Sequence, residues 1–194
     1  MGFLAVSGYT DGTYRRHAEE LQKSLERFGI PLDLSQMPDL GSWEKNVRQK
    51  AEFLQKKSEE HPDDDLLWVD ADSVVRRLPV LPEGDYSVAV YVYFPTDANP
   101  DASALDGHVF NGTIFLRADA FRDRILDLWA LKNRERQDLP EQYNMKWAIS
   151  RSKAGFRALP AEWCWVERIM RKSIPYADPV IEQFAVGLAK TETS

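Results

Sequence analysis

The chain has 194 residues, 43% hydrophobic and 29% charged, with a formal net charge of -6. That length supports a sizeable core, and the acidic balance argues against a wholly basic nucleic-acid-binding domain while leaving room for a local basic face. Cys164 is the single cysteine, so no intrachain disulfide can form and nothing calls for an oxidising compartment.

Met1 to Val6 has no basic start and is too short for a signal-sequence core, and no apolar stretch is long enough to cross a bilayer. The expectation is a cytoplasmic chain with no membrane partner. Phe3 to Ser7 predicts a first buried strand, followed by a turn-rich loop from Gly8 to Thr13. Tyr14, Ala18, Leu21, Leu25 and Phe28 recur at helical spacing and predict a helix over 14–28, capped by Thr13 and ended by Gly29 and Pro31. Pro31 to Leu34 then predicts a second strand, which completes the opening of a βαβ unit. Trp43 to Ser58 predicts a second helix with Ser42 as its cap, and Lys45 stands where a capping box would put an acid. Trp43, Val47 and Leu54 set its apolar face, and Asn46 and Lys50 fall on that same face. A lysine there either snorkels, with its stem packed and its amine at the rim, or reaches a ligand.

Leu66-Leu67-Trp68-Val69 is an uninterrupted apolar run, the pattern of a strand buried on both faces. Asp70 and Asp72 follow it one residue apart. Side chains two apart on a strand point the same way, so a continuing strand would aim both carboxylates at one point. Hard oxygen ligands so placed suit Mg²⁺ or Mn²⁺; the alternative is a polar strand-to-loop junction. Asp63-Asp64-Asp65, behind Pro62, has the same spacing but reads as a solvated turn.

Tyr86 to Phe94 predicts a β-rich segment, and Pro95 to Gly107 a long polar loop that would serve as a lid or acceptor loop. His108 to Leu116 returns to strand character, and Gly112 inside it marks a bulge or a close backbone approach. Asp119 to Asn133 predicts a helix with Phe121, Ile125, Leu128 and Trp129 inward. Pro140 opens a helix over Glu141 to Ser150, Phe156 to Leu159 is a short strand, Asp178 to Phe184 is a last strand, and Thr191 to Ser194 is a frayed tail. No phosphate-binding Gly-rich loop ending in Gly-Lys-Ser/Thr and no Gly-x-Ser-x-Gly elbow is present. His17, His61 and His108 have no zinc-pair spacing, and His108 alone stands where it could line a site.

The segment Leu67-Trp68-Val69-Asp70-Ala71-Asp72 resembles the Asp-x-Asp segment of nucleotide-sugar-dependent glycosyltransferases of the GT-A fold. The order of the looser motifs along nearly the whole chain carries the same resemblance. It implies an α/β fold, a GT-A-like (Rossmann-like) three-layer sandwich with a mixed, mostly parallel central sheet. It also implies one domain over 1–194, with a nucleotide-binding half at 1–94 and a sugar and acceptor half at 95–194. The donor would be a UDP- or GDP-sugar.

The resemblance implies Mn²⁺ or Mg²⁺ on the donor diphosphate, held by Asp70 and Asp72. Gln183 stands where many relatives carry a metal-binding histidine, and it would be a weak, uncharged ligand. Tyr9 and Thr10 would cradle the base unless their loop is a plain βα turn, and Asn46 and Lys50 would join Asp70 at the nucleotide. Phe110-Asn111-Gly112 resembles the strand that lines the donor-sugar pocket, with its usual serine missing. Glu141 and Gln142 resemble the acid-plus-Gln segment that faces sugar and acceptor, although Glu141 also suits a helix start electrostatically. Glu162, in Leu159-Pro160-Ala161-Glu162-Trp163-Cys164, resembles a late acidic member of the catalytic set.

For the acceptor, the chain resembles small bacteriophage-encoded transferases, some of which act on hydroxymethylated pyrimidines in DNA. Arg122, Arg124, Lys132, Arg134, Arg136 and the pair Arg76-Arg77 would then contact phosphates, and Trp163 or Tyr93 would stack on a flipped base. The alternatives are a solubilising surface with a small-molecule or glycan acceptor, or a nucleotide-sugar-binding module with weak or no transferase activity.

Overall fold

The computed structural model describes residues 2–10, 12–94, 107–171, 174 and 178–184. Most of the loop from Pro95 to Gly107, and the tail from Thr191 to Ser194, lie outside the described residues. Strand β1 (Leu4–Tyr9) leads into helix α1 (Gly12–Glu26) and strand β2 (Leu32–Gln36). The helix thus begins one residue ahead of Thr13, which lies inside it instead of capping it. It ends near Gly29, whose φ of 66° suits a residue without a Cβ.

The single helix expected over 43–58 is two: α2 (Trp43–Arg48) and α3 (Lys50–Glu60), broken at Gln49. Ser42 accepts from the Lys45 amide as a cap should. Core burial begins only at α3, where Lys50, Ala51 and Leu54 go inside, whereas α2 buries nothing.

Strands β3 (Leu66–Val69) and β4 (Ser73–Val75) follow, then β5 (Val88–Tyr93) and β6 (His108–Leu116). Helices α4 (Ala120–Glu135) and α5 (Glu141–Ser152) come next, then β7 (Phe156–Leu159), a 3-10 turn (Ala161–Cys164), α6 (Glu167–Met170) and β8 (Ile181–Gln183). The central sheet has the order β2-β1-β3-β6-β5-β7. Only β6 runs against the other five strands, so the sheet is mixed and mostly parallel.

Alternate residues of β3 feed two separate cores. Leu67 and Val69 face α1 and the C-terminal segment with Leu21, Leu25, Trp165 and Met170. Leu66 and Trp68 face α3, α4 and α5 with Leu54, Leu126, Trp129 and Met145. A strand hydrophobic at every position is what a sheet covered on both sides requires. This is the three-layer α/β sandwich expected from the sequence. No helix among the described residues is long and apolar enough to cross a membrane.

Two expectations need correction. On α4, Phe121 is exposed and Arg122 is buried in its place. The Arg122 guanidinium donates to the carbonyls of Asp64 at 2.6 Å and Pro62 at 2.9 Å. These carbonyls lie just past the end of α3, where backbone oxygens lack helical partners. The last strand is shorter than expected, and it joins β4 antiparallel in a small sheet of its own.

Asp33, Glu60 and His61 bring one ligand atom each within 4.8 Å of one another. The Lys57 ammonium already joins both carboxylates there, at 2.8 Å from Asp33 and 2.7 Å from Glu60. Burial opposes ionisation of Asp33, but hydrogen bonds from Lys57 and His61 outweigh it and hold its carboxyl below the ordinary value. A lowered carboxyl stabilises the fold above its unfolded pKa and loses that contribution as the pH falls through its folded one. Asp33→Asn should therefore cost about 1–2 kcal/mol near neutral pH. The difference should shrink once the pH drops below 3.8. Urea denaturation of both proteins across that range checks this.

Candidate active site

A cavity of about 380 Å³ opens at the carboxyl ends of β1 and β3. It lies at the end of the sheet where open α/β folds bind ligands. Gly8, Tyr9 and Thr10 line it from the end of β1, and Asn46 and Lys50 from α2 and the first turn of α3. Asp70 and Asp72 come from the turn after β3, Asn111 and Gly112 from β6, Glu141 and Gln142 from the start of α5, and Gln183 from β8. Positions far apart in the chain thus meet in one wall. Glu162 is not among the lining residues, and its backbone carbonyl accepts from Val180 instead.

The strand does not continue through the two aspartates. It stops at Val69, the Asp70 amide donates to the Gly112 carbonyl at 2.8 Å, and Ala71 and Asp72 form a turn before β4. The turn, not strand alternation, brings both residues to the cavity.

Lys50 is the electrostatic centre. It is 5% exposed, which corrects the snorkelling alternative. Its ammonium lies 2.8 Å from Asp70 Oδ1 and 3.9 Å from Glu141 Oε1, and donates to the Asn111 carbonyl at 2.9 Å. Burial opposes its charge, but Asp70 and Glu141 outweigh that and raise its pKa. The Trp68 indole N–H also donates to Asp70 Oδ1, at 2.7 Å. Burial pushes the Glu141 carboxyl up to about 7, against the pull of Lys50. Asn111 Nδ2 and Glu141 Oε2 are buried and, among the described residues, neither makes a well-formed hydrogen bond, although the Asn111 side chain lies near enough to Glu141 to oppose the rise of its pKa. Asn46 is occupied differently: its side chain accepts from the Leu40 amide at 2.7 Å and donates to Asp39 at 2.9 Å.

Gly112 is both a bulge and a close approach. Val90 pairs with Ile114 while Tyr91 pairs with Phe110, so Asn111, Gly112 and Thr113 have no partner on β5. A Cβ on Gly112 would stand 2.0 Å from the Gln183 amide. Gly112→Ala should therefore destabilise the protein by about 1–3 kcal/mol, the cost of overpacking. Chemical denaturation beside the parent measures it, and no loss would mean that Gln183 moves aside freely.

Mn²⁺ or Mg²⁺ can be tested against this donor set. The Lys50 ammonium and the Trp68 indole both meet Asp70 at Oδ1. Asp70, Asp72 and the Gln183 amide are hard oxygen donors among the residues that line the cavity. Two carboxylates with an amide, completed by water and phosphate, suit a small hard cation. The donors fit.

Some lining residues gave little signal in the sequence. Trp43 and Val47 line the cavity instead of the core, since α2 buries nothing. Tyr14, placed on the inner face of α1 by spacing, also lines it, as do Asp39 and Ile169.

No protein family and no curated protein matches the chain by sequence. Solved structures do match in shape. One is a glycosyltransferase involved in the glycosylation of the major capsid of PBCV-1, with a TM-score of 0.72 and 12% identity over 100% of this chain and 98% of the other. Another is the apo form of the glycosyltransferase GlyE of Streptococcus pneumoniae TIGR4, with a TM-score of 0.52 and 16% identity over 94% of this chain and 54% of the other. At these identities the likeness is one of fold, and that fold is one on which glycosyltransferases are built.

Proposed function

We propose that this protein is a glycosyltransferase that moves a sugar from a UDP- or GDP-sugar to an acceptor hydroxyl. One observation carries the reading: the Lys50–Asp70–Glu141 cluster, with Asp72, Asn111, Gly112 and Gln142, lines one cavity at the carboxyl end of the sheet. The fold shared with solved glycosyltransferases supports it. In this reading residues 1–94 serve mainly the nucleotide and 95–194 the sugar and acceptor, within one domain.

Tyr9 and Thr10 bind the base, and Asn46 keeps the neighbouring loop in place. Asp70, Asp72 and Gln183 would hold Mn²⁺ or Mg²⁺, which supplies positive charge to the diphosphate. Lys50 fixes the Asp70 carboxylate and adds its own charge to the wall. Asn111 and Gly112 border the donor sugar, and Gln142 lies where sugar and acceptor meet. In the reaction an acceptor oxygen bonds to the anomeric carbon while the bond from that carbon to the phosphate oxygen breaks. The electron pair leaves on the nucleoside diphosphate, and the hydroxyl proton passes to the Glu141 carboxylate. Glu162 has no part in this scheme.

DNA as acceptor finds less support. Arg122 is buried on backbone carbonyls, and Trp163 is 3% exposed, so neither meets a nucleic acid. Lys132, Arg134, Arg136, Arg76 and Arg77 each pair with an acid, namely Glu135, Glu52, Asp138, Glu182 and Asp178. Incubation with a panel of UDP- and GDP-sugars and Mn²⁺ tests the function. Release of free nucleoside diphosphate from one donor is the expected result. Tight binding with no release under any condition would make the protein a binding module.

A further inference from the structure

A second cavity of about 490 Å³ adjoins the first, and Phe110 and Gln142 line both. Its wall is built from rings. Tyr93 comes from the end of β5, His108 and Phe110 from the start of β6, and Tyr143 from α5, with Lys146 one turn further along the same helix face. Tyr93 meets Phe110 edge-to-face at 6.0 Å, and His108 meets Tyr143 edge-to-face at 6.2 Å. Tyr143 is nevertheless 47% exposed. An aromatic wall left open beside a polar cavity, with a few polar groups among the rings, is the composition of a ligand pocket.

We propose that this second cavity is the acceptor subsite and that its ligand is a saccharide. The proposal rests on the reading of the first cavity as the donor site. The C–H face of a pyranose is apolar and slightly positive, so it packs on the negative face of an aromatic ring. Its rim of hydroxyls then needs scattered donors and acceptors, which Gln142, His108 and Lys146 supply. Position agrees with chemistry: Phe110 immediately precedes Asn111 and Gly112, and Gln142 immediately follows Glu141, so an acceptor on these rings lies next to the donor sugar. Charge sets the class of acceptor. A polynucleotide needs a row of cations for its phosphates. Among the described lining residues the one lysine is Lys146, whose ammonium donates to the Gly107 carbonyl at 3.3 Å, and no arginine lines the cavity.

Two titrations of the protein test this. Methyl glucoside, methyl galactoside, methyl mannoside and their disaccharides are titrated by saturation-transfer NMR, beside a single-stranded oligonucleotide. UDP and GDP with Mn²⁺ are titrated by calorimetry. The expected result is binding of at least one saccharide, weakened about tenfold or more by Tyr143→Ala. His108→Ala should weaken the same saccharide, and Glu59→Ala, an exposed position that lines neither cavity, should not. Nucleotide binding with no saccharide binding would overturn the acceptor proposal alone. Failure of both ligands would overturn the donor reading with it. Oligonucleotide binding that falls steeply with salt, or saccharide binding indifferent to both ring substitutions, would also overturn it.

Discussion

Asp70→Asn and Asp72→Asn should each lower metal-dependent binding of UDP or GDP at least about 100-fold, while the fold survives. Loss of a group that merely supports a metal ligand already costs about 10–100-fold, and here the proposed ligand itself is neutralised. Asp70→Asn also takes the nearer carboxylate from the buried Lys50 ammonium and should cost up to about 3–5 kcal/mol of stability, with Glu141 left as its partner, but the backbone of the turn is kept. The Asp70 amide keeps its bond to the Gly112 carbonyl, and the Asp72 carbonyl keeps its bond from the Phe184 amide, at 2.8 and 2.9 Å. Calorimetry with Mn²⁺ present and absent, beside circular dichroism of each variant, gives both answers. Unchanged affinity in both variants would remove the metal from the proposed function.

Lys50→Met should cost about 3–5 kcal/mol of stability, the penalty for breaking a buried ion pair from one side. Methionine keeps the stem packed against the core but leaves Glu141, 3% exposed, without the ammonium beside it. The Asn111 carbonyl loses its donor as well. If the uncompensated charge is the cause, Lys50→Met with Glu141→Gln should recover part of the loss in urea denaturation. Equal losses in the single and double variants would assign it to packing. The same substitution separates two ways of serving the nucleotide. If Lys50 acts by holding Asp70, its removal should matter little to nucleotide affinity once Asp70→Asn is in place. If it reaches the phosphates independently, the two effects should add.

The central sheet was legible because β3 is apolar at every position, which only a doubly covered strand sustains. Most of the residues that the resemblance assigned to a site do line one cavity, but Glu162 does not. What escaped the sequence was decided by long-range partners. Nothing local to Gln49 announces the interruption there, where the backbone stays right-handed helical at φ -64° and ψ -18°. Arg122 looked like a surface charge because its partners are carbonyls some 60 residues earlier in the chain. The twofold role of Gly112 was half visible: a glycine in a strand signals a bulge, but its neighbour is Gln183, brought by a strand pairing no local pattern encodes. Lys50 fell on an apolar face by spacing alone, yet the acids that neutralise it come from the end of β3 and the start of α5.

The pairing of β8 with β4 has a bearing on how much of the chain the site needs. Ser73 pairs with Gln183, and the Phe184 amide closes on the Asp72 carbonyl. Every strand of the central sheet precedes residue 160. A chain ending near that point contains those strands but lacks Trp165, Met170 and Ile181, which cover one face of the sheet. It also lacks β8 and Phe184, which pair with Ser73 and with the Asp72 carbonyl. Under the proposed function, a chain truncated before residues 181–184 should therefore lose donor binding, because nothing then ties the Asp72 carbonyl and Ser73 in place.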